Sequence, residues 1–199
     1  MLSYSVNFRS NYFVILAARY TGAVRREAQR HGLSSSLIYA VVENESAFNP
    51  LARSPAPAYG LMQIVPGTAG RDAYAFVHGA VGEPEPETLY DPQTNITLGA
   101  AYLKLVNSHY LKALTDENSR TYATIAAYNT GTGNVARAFG SATNIASAAG
   151  VINSLPSDEV LRRLQVQLPR QETRRYVAAV LASRGRYSSF DGAGPSERS

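Results

Sequence analysis

The sequence predicts a mainly α protein with a single domain and at most a small β-hairpin. Three observations support this class. The chain has 199 residues, 45% of them hydrophobic, which suffices for one domain burying roughly 70% of the surface its unfolded chain exposes. Apolar residues recur mostly at helical spacing. The breaks between apolar runs carry cap or turn residues, so the chain divides into a series of short helices.

The first helix is predicted over 12–30, preceded by an extension or by its own first turns within 1–18. Ser34-Ser35-Ser36 introduces a second helix over 37–45, and Asn49-Pro50 stops it. Residues 51–65 hold Pro55, Pro57 and Gly60, and Leu61-Met62-Gln63-Ile64-Val65 has room for a small strand pair only. Helices follow over 66–77 and 92–112, with Asp91-Pro92 supplying an N-cap and an N1 proline. Between them, Gly79 to Glu87 reads as a solvated loop. Further helices are predicted over 119–129, 134–139, 142–153, 157–168 and 171–184, and residues 188–199 read as a flexible tail.

Composition excludes several chemistries. With no Cys there is no disulfide framework, thiolate metal site, cysteine nucleophile or lipidated cysteine. His31, His78 and His109 lie far apart in sequence, so no metal or cofactor is expected. The run Tyr12 to Ala18 is too short to span a bilayer, and no export signal is evident, Ala17-Ala18-Arg19-Tyr20 being a poor cleavage site. Net charge is +4, with residues 160–199 carrying +5 and the remainder −1. A basic end suits an anionic polymer.

The informative carboxylate is Glu45. In Leu37 to Glu45 the buried stripe is Leu37, Ile38, Val41 and Val42, and Glu45 continues it, whereas Glu43 projects from the Tyr39 side. A carboxylate ending an apolar stripe is costly when ionised, so it holds its proton nearer neutrality and can serve as a general acid. The ordinary alternative is a Glu that caps a neighbouring helix or pairs with an Arg.

The string Glu45-Ser46-Ala47-Phe48-Asn49-Pro50 is followed in order by Ser54-Pro55, Gly60-Leu61-Met62-Gln63, Ala127-Tyr128-Asn129 and Glu172-Thr173-Arg174-Arg175-Tyr176-Val177. This set resembles the motifs of the lytic transglycosylases with a soluble-transglycosylase, lysozyme-like domain. The resemblance spans about Arg19 to Val180, and the domain is assigned to 19–187. Thr130 and Thr132 replace residues that are commonly small in that family, and Pro57 stands where Gly is common.

The resemblance implies a lysozyme-like fold and cleavage of the β-1,4 bond between N-acetylmuramic acid and N-acetylglucosamine, with a 1,6-anhydromuramyl product. Glu45 is then acid and afterwards base. Ser54 and Gln63 would bond the acetamido group or nearby hydroxyls, Tyr128 would bond near Glu45, Asn129 would support its loop, and Met62 would pack on a sugar face. Glu172 would lie near the glycan or its peptide stem, with Ser46 in support. Plainer roles compete: Ser46 as a local cap, Met62 as core, Asn129 as a brace and Glu172 as a first-turn acid. The implied partner is peptidoglycan glycan strands in the periplasm or cell envelope, met by a monomer that binds no nucleic acid. Two alternatives stay open, a goose-type-lysozyme-like hydrolase and a non-catalytic, Arg-rich nucleic-acid-binding module.

Overall fold

A computed structural model describes residues 8–141 and 144–192, with side chains from Tyr12 onward. Ten α-helices are present among the described residues, joined by short π and 3-10 turns. They are α1 (Phe8–Ala18), α2 (Thr21–His31), α3 (Ser35–Ser46), α4 (Arg71–His78), α5 (Pro92–Leu105), α6 (Glu117–Thr130), α7 (Thr132–Ala138), α8 (Ile145–Asn153), α9 (Ser157–Gln167) and α10 (Gln171–Arg186). Within the limit of at most a small β-hairpin, the described residues hold two isolated antiparallel bridges, Arg53 with Tyr59 and Tyr59 with Ile64.

Helix α3 runs through the core. Every residue from Ser35 to Val42 is buried, because its neighbours cover it on all sides: α2 on one flank and α10 along its length. Ser34 caps it, its Oγ accepting from the Leu37 amide at 3.3 Å. At the other end Ala47 and Phe48 both take left-handed backbone angles, φ 51° and 64°. Each costs a non-glycine residue about 1–2 kcal/mol. Burial of the Phe48 ring among Phe13, Tyr20, Tyr39 and Tyr187 offsets that cost, with Tyr20 stacked on it at 6.2 Å.

Glu43 lies on the Tyr39 side of this helix, as expected, and ties α3 to α10 by pairing with Arg186 and accepting from the Tyr187 hydroxyl and from Ser183 Oγ at 3.2 Å, with Tyr187 packed on Tyr39. Those partners come from late in the chain and are no part of the helix pattern.

Other differences have local causes. The helix predicted over 12–30 breaks at Arg19-Tyr20, where Tyr20 leaves helical geometry to stack on Phe48 and the Thr21 hydroxyl bonds the Ala18 carbonyl at 3.0 Å. The helix over 92–112 changes to a π turn at Val106. In the loop after α4, Glu83, Glu85 and Glu87 are exposed as expected, but Pro84 is buried against Gly70. Residues 188–190, assigned to the tail, form a 3-10 turn, and Asp191 Oδ1 accepts from the Ser36 amide at 2.7 Å at the start of α3. Ala142 and Thr143, at the start of one predicted helix, and residues 193–199 lie outside the described residues.

The segment between α3 and α4 is held by one buried amide. Asn95 Oδ1 accepts from the Met62 amide at 2.7 Å, and its Nδ2 donates to the carbonyls of Tyr59 and Leu89, each at 2.8 Å. Gly60 beside it has φ +74°, and a Cβ there would collide with the Leu89 carbonyl and the Asn95 amide. Asn95→Ala leaves the buried Met62 amide and Leu89 carbonyl unpaired, while the Tyr59 carbonyl keeps its bond from the Ile64 amide, which should cost roughly 2–4 kcal/mol. Urea unfolding measures it, and a loss below about 1 kcal/mol would show that the pin is dispensable.

Candidate active site

Five parts of the chain meet around a groove of about 650 Å³. The last turn of α3 supplies Asn44 and Glu45, the segment from Ser54 to Ala69 forms one wall, and α5 and α6 contribute Tyr102, Tyr128 and Asn129. The start of α10 closes the other wall with Arg170, Glu172 and Tyr176.

Glu45 is half-buried in this groove. Its pKa is pushed from 4.5 to about 7, chiefly by loss of water around the carboxylate; the Tyr176 hydroxyl facing it opposes the shift, and the charge of Glu172 adds to it. Its place in the last turn of α3, where the helix carbonyls point outward, also disfavours a negative charge. No cation pairs with it among the described residues. The alternative of a helix cap or an Arg partner therefore fails for Glu45, and it is Glu43 that has the Arg.

Two phenols flank the acid. Burial first, and then the charge of Glu45, hold both Tyr128 and Tyr176 well above the usual tyrosine range, so both stay neutral donors. Tyr128 spends its hydroxyl on the Met62 carbonyl at 2.8 Å, which locks α6 to the groove wall. The Tyr176 hydroxyl is buried with no hydrogen-bond partner in the protein among the described residues, although it lies beside the Glu45 carboxyl.

Gln63 adopts φ 48° and turns its amide nitrogen inward, donating to the carbonyls of Ala52 at 3.1 Å and Gly60 at 2.9 Å. Two carbonyl acceptors fix the amide orientation, which leaves Oε1 as the acceptor toward the groove. Ser54 also lines the groove, but its hydroxyl donates to the Ala56 carbonyl within its own loop, the bend that accommodates Pro57. Asn129 accepts from Thr173 Oγ1 at 2.8 Å and so braces α6 against α10. Beyond Asn129, Thr130 accepts from the Asn134 side chain at 2.8 Å, and Thr132 opens α7.

Two expectations change. Met62 is fully buried against Gly99, so it packs in the core and presents no face to a sugar. Its neighbour Gln63 takes the outward position because a two-residue turn exposes one side chain and buries the other. Ser46 bonds back to the Val42 carbonyl at 3.1 Å and finishes its own helix. Sequence reasoning missed Tyr102 and Arg170, and it gave Tyr176 no role beyond its place in the motif string. The available signal for Tyr176 was its position four residues after Glu172, on the same helical face.

The family model described as Transglycosylase SLT domain matches residues 22–149. The chain belongs to this family. It is 41% identical over 178 residues to membrane-bound lytic murein transglycosylase C of Sodalis glossinidius (strain morsitans), covering 89% of this chain and 49% of the relative. The protein of the same name from Klebsiella pneumoniae is 40% identical over 185 residues, 93% of this chain and 51% of the relative. This SLT domain chain thus spans about half the length of those curated relatives. Among solved structures, the 70 kDa soluble lytic transglycosylase of Escherichia coli superposes with a TM-score of 0.65 at 30% identity, over 87% of this chain and 24% of that one. An inactive mutant of the lytic transglycosylase Slt from Pseudomonas aeruginosa gives 0.64 at 31%, over 87% and 25%. The mainly α, lysozyme-like fold expected for an SLT domain is the one observed.

The raised pKa of Glu45 makes stability depend on pH in a known direction. Below about pH 4.5 the carboxyl is protonated in folded and unfolded chains alike, and the folded state bears no penalty; between 4.5 and about 7 the unfolded chain releases the proton first, so stability falls. Above about 7 the penalty is complete, at most roughly 3 kcal/mol. Glu45→Gln should therefore be more stable than the wild type at pH 8, with the gap closing by pH 4. Denaturant melts at both values test this, and a gap that does not change with pH would contradict it.

Proposed function

We propose that this chain is a peptidoglycan lytic transglycosylase that cleaves the bond between N-acetylmuramic acid and N-acetylglucosamine and leaves a 1,6-anhydromuramyl end. The observation that supports the reading is one proton-holding carboxyl, Glu45, in a groove whose other acid, Glu172, is exposed on the first turn of α10. Glycosidases that use water or a protein nucleophile need a second carboxylate held across the bond. Asp72 is engaged by the Tyr110 hydroxyl at 2.8 Å and Asp91 caps α5, and neither lines the groove.

A single acid suffices when the sugar supplies the nucleophile. Glu45 gives its proton to the glycosidic oxygen while the acetamido carbonyl of the muramyl residue attacks its own C1, forming an oxazolinium-like intermediate. The Glu45 carboxylate then removes the proton of the C6 hydroxyl, whose oxygen closes on C1 and restores the acetamide. Proton and water balance without any outside reactant. A pKa of about 7 suits a group that must give and retake one proton near neutrality. Ring closure is intramolecular and outcompetes water when the hydroxyl is held in line.

The wall residues take supporting parts in this reading. Gln63 Oε1 accepts from the acetamido N–H, Tyr128 and Asn129 keep α6 in place beside the acid, and Ser54 and Glu172 border the sugar rings. No cofactor or metal takes part. The setting is the bacterial cell envelope, on the periplasmic side, where the chain acts as a monomer on glycan strands and not on nucleic acid. No helix among the described residues is long and apolar enough to cross a membrane.

Digestion of purified sacculi in heavy-oxygen water, followed by mass spectrometry of the released fragments, tests the proposal. Unlabelled anhydro ends, lighter by one water than reducing ends, are the expected main product. Labelled reducing ends would make the chain a hydrolase and turn attention to Glu172. Glu45→Gln, which keeps the shape but carries no exchangeable acid, should lower turnover by about a thousandfold or more.

A further inference from the structure

The groove holds one polar residue that neither the sequence motifs nor the mechanism uses. Asn44 precedes Glu45 in the last turn of α3, is half-buried, and lines the groove on a helix that packs along α10. Its side-chain nitrogen is spent inside the protein. Nδ2 donates to the Ala40 carbonyl one turn back at 2.8 Å and to Ser183 Oγ of α10 at 3.2 Å. Both amide protons are then used, and Oδ1, which has no partner among the described residues, is the open end of the group.

The direction of that amide is set from outside the groove. Ser183 Oγ gives its one proton to Glu43 Oε1 at 3.2 Å, so it meets Asn44 as an acceptor. Glu43 also accepts from Arg186 and from the Tyr187 hydroxyl, and a carboxylate among three donors offers none in return. Donation therefore runs one way, from Asn44 through Ser183 to Glu43. A flipped Asn44 would set its oxygen against the Ala40 carbonyl, acceptor against acceptor. Gln63 is wired to the same effect, its nitrogen turned onto the carbonyls of Ala52 and Gly60.

The geometry points to Asn44 as a further specificity-determining residue of the reaction proposed above, on which this assignment rests. Its Oδ1 accepts a hydrogen bond from a hydroxyl of the N-acetylglucosamine next to the bond that Glu45 protonates. Ser183, which touches no sugar, is the positioning residue that keeps this acceptor outward. A sugar hydroxyl can donate where the protein supplies no donor, and a ring lacking that hydroxyl leaves the amide oxygen unpaired, which is how a site of this kind discriminates.

Titration calorimetry of the Glu45→Gln protein with an N-acetylglucosamine tetramer tests the contact without turnover. Adding Asn44→Leu, which keeps the volume and removes both polar atoms, should weaken binding about tenfold, and adding Ser183→Ala, which leaves the amide in place but unanchored, about threefold. Unchanged affinity in the Asn44→Leu protein, or a Glu45→Gln protein that does not bind the tetramer, overturns the assignment. If Asn44→Leu does not fold, the Ser183→Ala result decides. Nitrogen-15 NMR separates positioning from packing at Ser183: the Asn44 side-chain amide protons should exchange slowly with solvent, and Ser183→Ala should release them, whereas unchanged exchange rejects the positioning role. In cleavage of glycan strands both substitutions should raise KM and leave kcat within about twofold, and a loss confined to kcat contradicts a binding role. If sacculi are not cleaved at all, the catalytic reading falls and tetramer binding alone decides whether Asn44 contacts the sugar.

Discussion

The site depends on a carboxyl group deprived of water and given no cation. Two acids stand two residues apart on α3, and the fold treats them oppositely. Glu43 faces α10, where Arg186, Tyr187 and Ser183 surround it with donors. Glu45 faces the groove and meets two neutral phenols and a like charge. A buried ion pair stays charged because its partner replaces the lost solvation, whereas a lone carboxyl in the same medium keeps its proton. The helix that presents both is itself held at each end, by Ser34 and Asp191 at its start and by the Phe48 aromatic cluster at its finish.

The groove wall shows how the fold positions polar side chains without a sheet. Among the described residues, the non-glycine positions with positive φ are Ala47, Phe48 and Gln63, all between the end of α3 and the start of the π turn at Pro66. Such backbone angles persist only where the surroundings enforce them. Phe48 is enforced by ring packing, and Gln63 by its own amide together with the Asn95 bonds to Tyr59 and Met62. Tyr128 then closes the wall onto α6 through the Met62 carbonyl. Backbone angles enforced in this way hold the wall in one arrangement beside Glu45.

The sequence made the helices legible because caps and breaks are local: Ser34, Asp91 and the prolines at 92, 156 and 169 act within a few residues of themselves. Glu45 was legible for the same reason, since a charge on an apolar stripe is visible within one helix. The partners of Glu43 were not, because Arg186 and Tyr187 reach it from far along the chain. Met62 and Gln63 show the same limit at short range. Adjacent residues of one motif exchange inside for outside through a left-handed turn, and Gly99, which makes room for Met62, lies on another helix. The break at Tyr20 was hidden because stacking on Phe48 outweighed a continuous helical pattern.

The central claim is that Glu45 keeps its proton to about neutrality while it faces the groove. Carbon-13 NMR of the full chain labelled at the Glu carboxyl carbons, with Glu45→Gln to assign the signal, follows that proton directly. The account predicts a titration midpoint near pH 7 for Glu45. A midpoint near the ordinary 4.5 would contradict it, because an ionised Glu45 has no proton to give in the proposed cleavage.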